Sequence, residues 1–78
     1  MQYVYILKCN DRGWYVGCTN DLKKRIERHV KGYVPATKNM RPLMLLHYFA
    51  FSNKLIAYNF EKYLKSHSGR AFMKKHFN

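Results

Sequence analysis

Acidic residues are scarce in this chain of 78 residues, which has 4 Asp and Glu against 15 Lys and Arg and a net charge of +11. So few carboxylates argue against sites built from several of them, such as a two-metal centre. The excess of positive charge favours a polyanionic partner, which would be a nucleic acid or an anionic membrane surface. Aromatic residues make up 17% of the chain, so it is not a disordered basic tail.

Long apolar runs and cysteines are also few. The longest apolar run covers residues 43–51 and is interrupted by His47, whereas a membrane-crossing helix needs about 20 residues. The N-terminus lacks the basic start and the cleavage site of a signal peptide. Cys9 and Cys18 have no metal-ligand spacing, and we expect them to be reduced thiols that pack on strands. These absences predict a cytoplasmic protein that does not bind membranes.

The pattern of apolar residues predicts a single α+β domain over residues 1–78, since no repeat, linker or low-complexity segment divides the chain. The first strand is apolar on both faces, with Val4 and Ile6 on one and Tyr5 on the other, and should lie at the centre of a sheet. Thr19 and Asn20 can cap the first helix. The predicted elements are strands at residues 3–9, 14–18 and 43–51 and helices at residues 21–31, 54–65 and 70–77, with a turn from Asn10 through Asp11 to Gly13 and helix breaks at Gly32 and at Ser68 and Gly69. This is a three-stranded antiparallel sheet flanked by helices, in the order β-β-α-β-α-α.

The first helix separates its basic residues between two faces. At about 100° per residue, Arg25 and His29 lie at the edge of the apolar stripe of Leu22, Ile26 and Val30. Arg25 is either an anion ligand or an arginine whose stem packs on the core with its head in water. For His29 alone, a hydrogen-bonded histidine at the core boundary is the favoured interpretation. The residues on the solvated face are Lys23, Lys24, Glu27, Arg28 and Lys31.

Three of the four carboxylates have structural explanations. Asp11 lies in a turn, Asp21 lies at a helix start, and Glu27 is flanked by lysines one turn away on either side. Glu61 is therefore the best candidate for a metal ligand. The alternative is a helix salt bridge from Glu61 to Lys65, worth about 0.3–0.5 kcal/mol. The predicted buried face of this second helix consists of Ile56, Ala57, Phe60, Tyr63 and Leu64.

Tyr5 and Tyr15 lie on adjacent strands of the predicted hairpin. Tyrosine is common in strands, and packing alone explains a single one. A tyrosine that acts as a base near neutral pH needs positive charge nearby, because its ordinary pKa is about 10. Arg25 or a bound metal could supply that charge.

Taken together, these residues resemble the GIY-YIG nucleases. The paired motif is Tyr3-Val4-Tyr5 followed by Tyr15-Val16-Gly17, with Arg25 ten residues after Tyr15 and His29 four residues later. Glu61 lies in the segment FEKYLKSHSGRAF. The chain is similar to a small stand-alone branch, related to the N-terminal nuclease domain of the excinuclease C subunit and to intron-encoded endonucleases.

The resemblance implies phosphodiester cleavage with one divalent metal, Mg²⁺ or Mn²⁺. By position, Glu61 would be the metal ligand and Arg25 would hold the scissile phosphate. Tyr5 and Tyr15 would be the motif tyrosines, one of which helps to activate the attacking water. His29 would assist that tyrosine or the phosphate.

Two positions depart from the family pattern, and no DNA-binding domain is attached. Tyr3 stands where the family name has Gly, and Cys18 follows Gly17 where some branches have a Lys that could contact phosphate or water. Affinity would then come from the cations of the first helix, which read phosphate rather than sequence. A partner protein would supply target choice. These nucleic-acid-binding candidates are Lys23, Lys24, Arg28 and Lys31.

The leading hypothesis is therefore a DNA endonuclease with little sequence preference that acts in repair or recombination. Its substrates would include branched DNA. The alternative is a non-catalytic basic module that binds DNA or RNA and keeps a relic of the nuclease site. A third hypothesis is a small interaction protein that docks on a nucleic-acid machine. The nuclease hypothesis requires Tyr5, Tyr15, Arg25, His29 and Glu61 to line one concave surface, and it fails on geometry if they do not.

Overall fold

The computed structural model describes residues 1–10 and 13–77. Asp11, Arg12 and Asn78, and with them the predicted turn around Asp11, lie outside the described residues. Within the described ranges the fold is α+β, with the predicted order β-β-α-β-α-α. The elements are β1 (Gln2–Lys8), β2 (Trp14–Thr19), α1 (Leu22–Val30), β3 (Met44–Phe51), α2 (Lys54–Lys65) and α3 (His67–His76), with a short 3₁₀ helix at Lys38–Met40 before β3.

The three strands form an antiparallel sheet in the order β2-β1-β3. The central position predicted for β1 is confirmed, and its four middle residues are buried because neighbours cover both faces. Tyr5 lies opposite Gly17 of β2 on one side and opposite Tyr48 of β3 on the other. A register shift between β1 and β3 follows Ile6.

The two faces of the sheet have different partners. Val4 and Ile6 face α2 and α3, and this face holds the apolar core. Tyr5 points to the opposite face, where α1 brings His29 against it. The predicted division of β1 into these two faces is therefore observed. The core residues are Val4, Ile6, Val16, Ala57, Leu64 and Met73.

Two helix starts differ from the predicted ones. Asp21 itself caps α1, because its side chain accepts a hydrogen bond from the backbone N–H of Lys24 at 3.1 Å. Thr19 instead accepts a bond from the backbone N–H of Asp21. Gly69 does not break a helix but lies within α3, where an added Cβ would overlap the backbone carbonyl of Tyr63. The glycine therefore allows α2 and α3 to approach each other closely.

Several predicted core positions are exposed. Val30 is 56% exposed, since α1 turns His29 rather than Val30 inward. Ile56 and Tyr63 are 55% and 44% exposed, because α2 packs through a narrower stripe of Ala57, Phe60 and Leu64. In β3, which is an edge strand, the apolar residues are only partly covered.

The two cysteines lie at the strands on which the sequence pattern placed them. Cys9 is buried directly after β1 and Cys18 is half-buried in β2, and no disulfide joins them. Among the described residues, no helix has the length and apolar character needed to span a bilayer.

Candidate active site

A chain of buried hydrogen bonds links β1, α1 and the loop after α1. The hydroxyl of Tyr5 lies 2.8 Å from Nε2 of His29, and Nδ1 of His29 lies 2.8 Å from Oγ1 of Thr37. All three residues are 0% exposed. Both ring nitrogens of His29 are thereby used, which satisfies a polar side chain in a place that water does not reach.

Gly17 explains how the Tyr5 ring reaches His29. Tyr5 and Gly17 face each other across the β1–β2 ladder, and the ring lies directly over the glycine. A Cβ at position 17 would overlap Cζ and the hydroxyl oxygen of Tyr5 and lie 2.9 Å from Cε1. The motif glycine is therefore needed because the tyrosine ring occupies the space of its missing side chain.

Tyr15 lies beside the same pair of rings. Its ring centroid is 6.5 Å from that of Tyr5 and 5.3 Å from that of His29. Tyr15 is half-buried, whereas Tyr5 and His29 are fully buried. The two motif tyrosines are thus adjacent, with Tyr15 nearer to solvent.

Burial and nearby charges both act on the pKa of the Tyr5 hydroxyl. Burial, and then the neighbouring Tyr15, raise this pKa from 10.0 to about 12. The charge of Arg25 and a side-chain hydrogen bond from it lower the pKa, whereas the charge of Glu61 raises it. Arg25 and Glu61 therefore shift the pKa of the same hydroxyl in opposite directions.

The protons on this chain can be assigned from the hydrogen-bonding capacity of each group. The charge of Arg25 acts on the Tyr5 hydroxyl, and a guanidinium can only donate, so a bond between them runs from Arg25 to the Tyr5 oxygen. In the arrangement that satisfies every group, the Tyr5 hydroxyl donates a hydrogen bond to Nε2 of His29, and Nδ1–H of His29 donates one to Oγ1 of Thr37. Burial and the charge of Arg25 lower the pKa of His29, which keeps the imidazole neutral as this arrangement requires.

Glu61 is paired in the way that the alternative interpretation predicted. Its Oε2 lies 3.0 Å from Nζ of Lys65, one turn along α2, and its side chain is 20% exposed. The same ammonium lies 5.9 Å from the ring centroid of Tyr15. Lys65 therefore places a cation between the carboxylate and the outer tyrosine.

The donor set around Glu61 suits one weakly held hard cation. Across residues 1–10 and 13–77, no group of three or more His, Cys, Asp or Glu side chains could hold a metal. Glu61 offers one partly exposed carboxylate, and oxygen is the ligand that Mg²⁺ prefers. Mg²⁺ characteristically binds to one or two carboxylates and takes its other ligands from water and phosphate, so the residues present fit such an ion.

Tyr5, Tyr15 and His29 lie together, and the charges of Arg25 and Glu61 both act on the Tyr5 hydroxyl. The five residues do not line one concave surface, so the structure does not meet the requirement set for them from the sequence. Tyr15 lines a cavity of about 570 Å³, and Arg25 lines a second one of about 360 Å³. Tyr5 and His29 are enclosed behind them. The four α1 residues predicted to bind nucleic acid are all exposed, and two of them line the second cavity with Arg25. These are Lys23, Lys24, Arg28 and Lys31.

Three residues of the site were missed as functional by sequence reasoning. Gly17 was visible as part of the motif, but its contact with Tyr5 depends on strand register. Lys65 was considered only as a salt-bridge partner. Thr37 lies in a loop and carries no periodic signal, so nothing in the pattern could have found it.

Known proteins match this chain over most of its length. A family model for the GIY-YIG catalytic domain matches residues 1–76. The chain is 44% identical over 66 residues to the UPF0213 protein CPE1444 of Clostridium perfringens, covering 83% of this chain and 71% of that protein. It is 42% identical over 64 residues to the UPF0213 protein YazA of Bacillus subtilis, covering 81% of this chain and 65% of YazA.

A solved structure has the same fold. The solution NMR structure of the UPF0213 protein BH0048 from Bacillus halodurans matches with a TM-score of 0.61 and 34% identity, and the match covers 96% of this chain and 84% of that one. The matches over most of the chain, together with the paired tyrosine motifs and the site around them, lead to one conclusion. This chain belongs to the GIY-YIG family, as a relative of its small stand-alone UPF0213 proteins.

Proposed function

We propose that this protein is a metal-dependent endonuclease that hydrolyses phosphodiester bonds of DNA and has little sequence preference of its own. The observation that supports this most is the buried contact of Tyr5 with His29 beside Tyr15, at a hydroxyl on which the charges of Arg25 and Glu61 both act. A guanidinium and a carboxylate around one point can serve a phosphate and a metal ion respectively. The resemblance to GIY-YIG nucleases supports the same activity.

In this proposal Arg25 holds the scissile phosphate, and a buried chain of residues holds Arg25. Thr37 orients His29, His29 accepts a hydrogen bond from the Tyr5 hydroxyl, and the Tyr5 oxygen accepts a bond from Arg25. Tyr5 stays neutral because its pKa is about 12. The remaining N–H groups of Arg25 can then bind two phosphate oxygens without reorganisation during the reaction. Tyr5 and His29 are positioning residues in this scheme.

Tyr15 is the tyrosine we assign to the attacking water. It is half-buried and lines a cavity, whereas Tyr5 is 0% exposed and cannot touch a water from solvent. The hydroxyl oxygen of Tyr15 can accept a hydrogen bond from the water and aim it at the phosphorus.

Glu61 is the residue we assign to a divalent ion, either Mg²⁺ or Mn²⁺. Such an ion would neutralise charge on the phosphate and lower the pKa of a water bound to it. Glu61 has to share its carboxylate with Lys65 or release it, because Oε2 contacts the lysine ammonium at 3.0 Å. Metal binding by the protein alone should therefore be weak and should tighten with DNA.

The exposed cations of α1 would supply affinity for the DNA backbone. They lie on the solvated face, where they can contact phosphates and release counterions. Such contacts carry no sequence information. We accordingly propose that the chain works as a single domain of residues 1–78 in the cytoplasm, in DNA repair or recombination, with a partner protein supplying target choice.

Cleavage assays with matched variants test this proposal. Purified protein is incubated with supercoiled, branched and single-stranded DNA in Mg²⁺, Mn²⁺ or EDTA. Glu61→Gln should lower the cleavage rate by about 100-fold or more, as loss of one group that stabilises the transition state does. Glu27→Gln is the matched control, because Glu27 is also a carboxylate on a helix with a lysine four residues later, and it should cleave normally. Arg25→Lys should also be defective, since it keeps the charge but loses the forked donors.

The second candidate is a non-catalytic module that binds DNA or RNA through its basic face. The Glu61–Lys65 ion pair favours it, because the position for a metal already has a cation nearby. Salt-sensitive binding of DNA or RNA without metal-dependent cleavage of any substrate would support this candidate and overturn the endonuclease.

A further inference from the structure

Apart from Tyr15, the described residues that line the cavity beside it take no part in the proposed cleavage chemistry, and this cavity has the form of a binding site. It lies between β2 and the α2–α3 pair and has a volume of about 570 Å³, within the range of about 300–1,000 Å³ typical of small-ligand sites. Val16, Leu64 and Met73 are buried and supply apolar surface. Trp14 and Tyr15, which are both half-buried, add aromatic rings.

Three cations line the same cavity. Lys65 comes from the end of α2, and Arg70 and Lys74 come from successive turns of α3. None of the described residues that line the cavity is acidic. The site therefore offers apolar and aromatic surface for a flat ring, with positive charge for an anion beside it, and this combination matches a nucleotide.

From this geometry we infer that the cavity binds an unpaired nucleotide of the DNA strand next to the cleaved bond. The inference rests on the proposed function for the position of that bond. Tyr15 belongs to both the cavity and the active site, and Lys65 joins the cavity to Glu61 at 3.0 Å. Bases of an intact duplex are stacked on one another and cannot present a face to Trp14. The substrate class is therefore DNA with an unpaired nucleotide at the cleavage position, such as a fork or a flap.

Trp14 makes this inference measurable without cleavage. It is the single tryptophan of the chain, so intrinsic tryptophan fluorescence reports on this cavity alone. The protein is titrated in EDTA with a forked duplex that carries an unpaired DNA arm, with a blunt duplex of the same length, and with free dAMP. The fork should quench Trp14 and bind about tenfold more tightly than the blunt duplex, since stacking of an unpaired base on an aromatic ring adds affinity.

Lys74→Ala and Lys75→Ala form a matched pair for the same titration. Both residues are exposed lysines of α3, and only Lys74 lines the cavity. Lys74→Ala should weaken fork binding about threefold to tenfold through loss of one phosphate contact, and Lys75→Ala less than about twofold. Equal effects of the two substitutions would overturn the inference.

Other results of the titration also test the inference. The inference would be overturned by equal affinity for the fork and the blunt duplex, or by unchanged Trp14 fluorescence. It would also be overturned if free dAMP, or a fork with an RNA arm, bound more tightly than the DNA fork. Because metal is absent, these results do not depend on nuclease activity. An enzyme that cuts blunt duplex as fast as forks would overturn the nucleotide cavity and leave the proposed function in place.

Discussion

Thr37→Val is the substitution that tests the buried hydrogen-bond chain most directly. Valine has nearly the shape of threonine but no hydroxyl, so Nδ1–H of His29 would lose its acceptor at 2.8 Å. Both residues are 0% exposed, so water cannot replace the lost partner. A buried donor left without a partner costs about 1–3 kcal/mol of the free energy of unfolding.

This loss should be visible as a lower melting temperature and a lower cleavage rate. For a chain of this length, each 1 kcal/mol lowers Tm by about 4–8 °C, so a loss near 2 kcal/mol corresponds to about 8–16 °C. Cleavage should fall at saturating DNA, in kcat rather than in KM. The reason is that Arg25 is held through Tyr5 and His29, while the contacts that supply DNA affinity are unchanged.

Thr37→Ser is the control, because it keeps the hydroxyl and removes only a methyl group worth about 0.8 kcal/mol. Urea unfolding measures both free energies, and ¹⁵N NMR of the His29 ring reports whether Nδ1 keeps its proton. A valine variant that is as stable and active as the serine variant, with an unchanged His29 ring signal, would refute the hydrogen-bond chain.

Three further substitutions test other parts of the site. Gly17→Ala should displace the Tyr5 ring, cost about 1–3 kcal/mol in melting experiments and reduce cleavage strongly; an active, equally stable variant would contradict the contact. Tyr5 has a pKa of about 12 in the fold against 10.0 in the unfolded chain, so folding favours the protonated hydroxyl. The resulting contribution to the free energy of unfolding, up to about 2–3 kcal/mol, is present below pH 10 and is lost as pH rises toward 12. Urea unfolding between pH 9 and 12 should show this loss for the wild type and a smaller one for Tyr5→Phe, and equal slopes would refute it. Lys65→Met should tighten Mn²⁺ binding in calorimetry about threefold or more by releasing Glu61, since a competing cation is removed; unchanged binding, or equal tightening with Glu61→Gln present, would exclude Glu61 as the ligand.

Much of the fold was readable from local pattern. The two-sided apolar character of β1 predicted its central position, and α1 was predicted to turn Arg25 and His29 toward the body of the protein. The exposed positions of Val30 and Ile56 were not predicted. A helix wheel shows which residues share a face, but the width of the contact depends on how closely the helix approaches the sheet.

The site was readable only as a set of candidates. The motif spacing selected Tyr5, Tyr15, Arg25, His29 and Glu61, and the structure shows contacts among Tyr5, Tyr15 and His29, with the charges of Arg25 and Glu61 acting on the Tyr5 hydroxyl. The role of each of these residues could not be predicted from the sequence, because the role depends on how deeply the side chain is buried. Full enclosure makes Tyr5 and His29 supports of Arg25 in our proposal and leaves Tyr15 as the tyrosine that faces solvent.

By itself, the sequence determined the α+β class, the excess of positive charge and the single unassigned carboxylate, since these follow from composition and from periodicity within each element. The tertiary structure alone decided that Thr37 meets His29 and that the ring of Tyr5 covers Gly17. It also decided that the ammonium of Lys65 lies 5.9 Å from the centroid of the Tyr15 ring. The physical reason is that such contacts join residues distant in the chain or depend on strand register and side-chain direction, which a one-dimensional pattern does not contain.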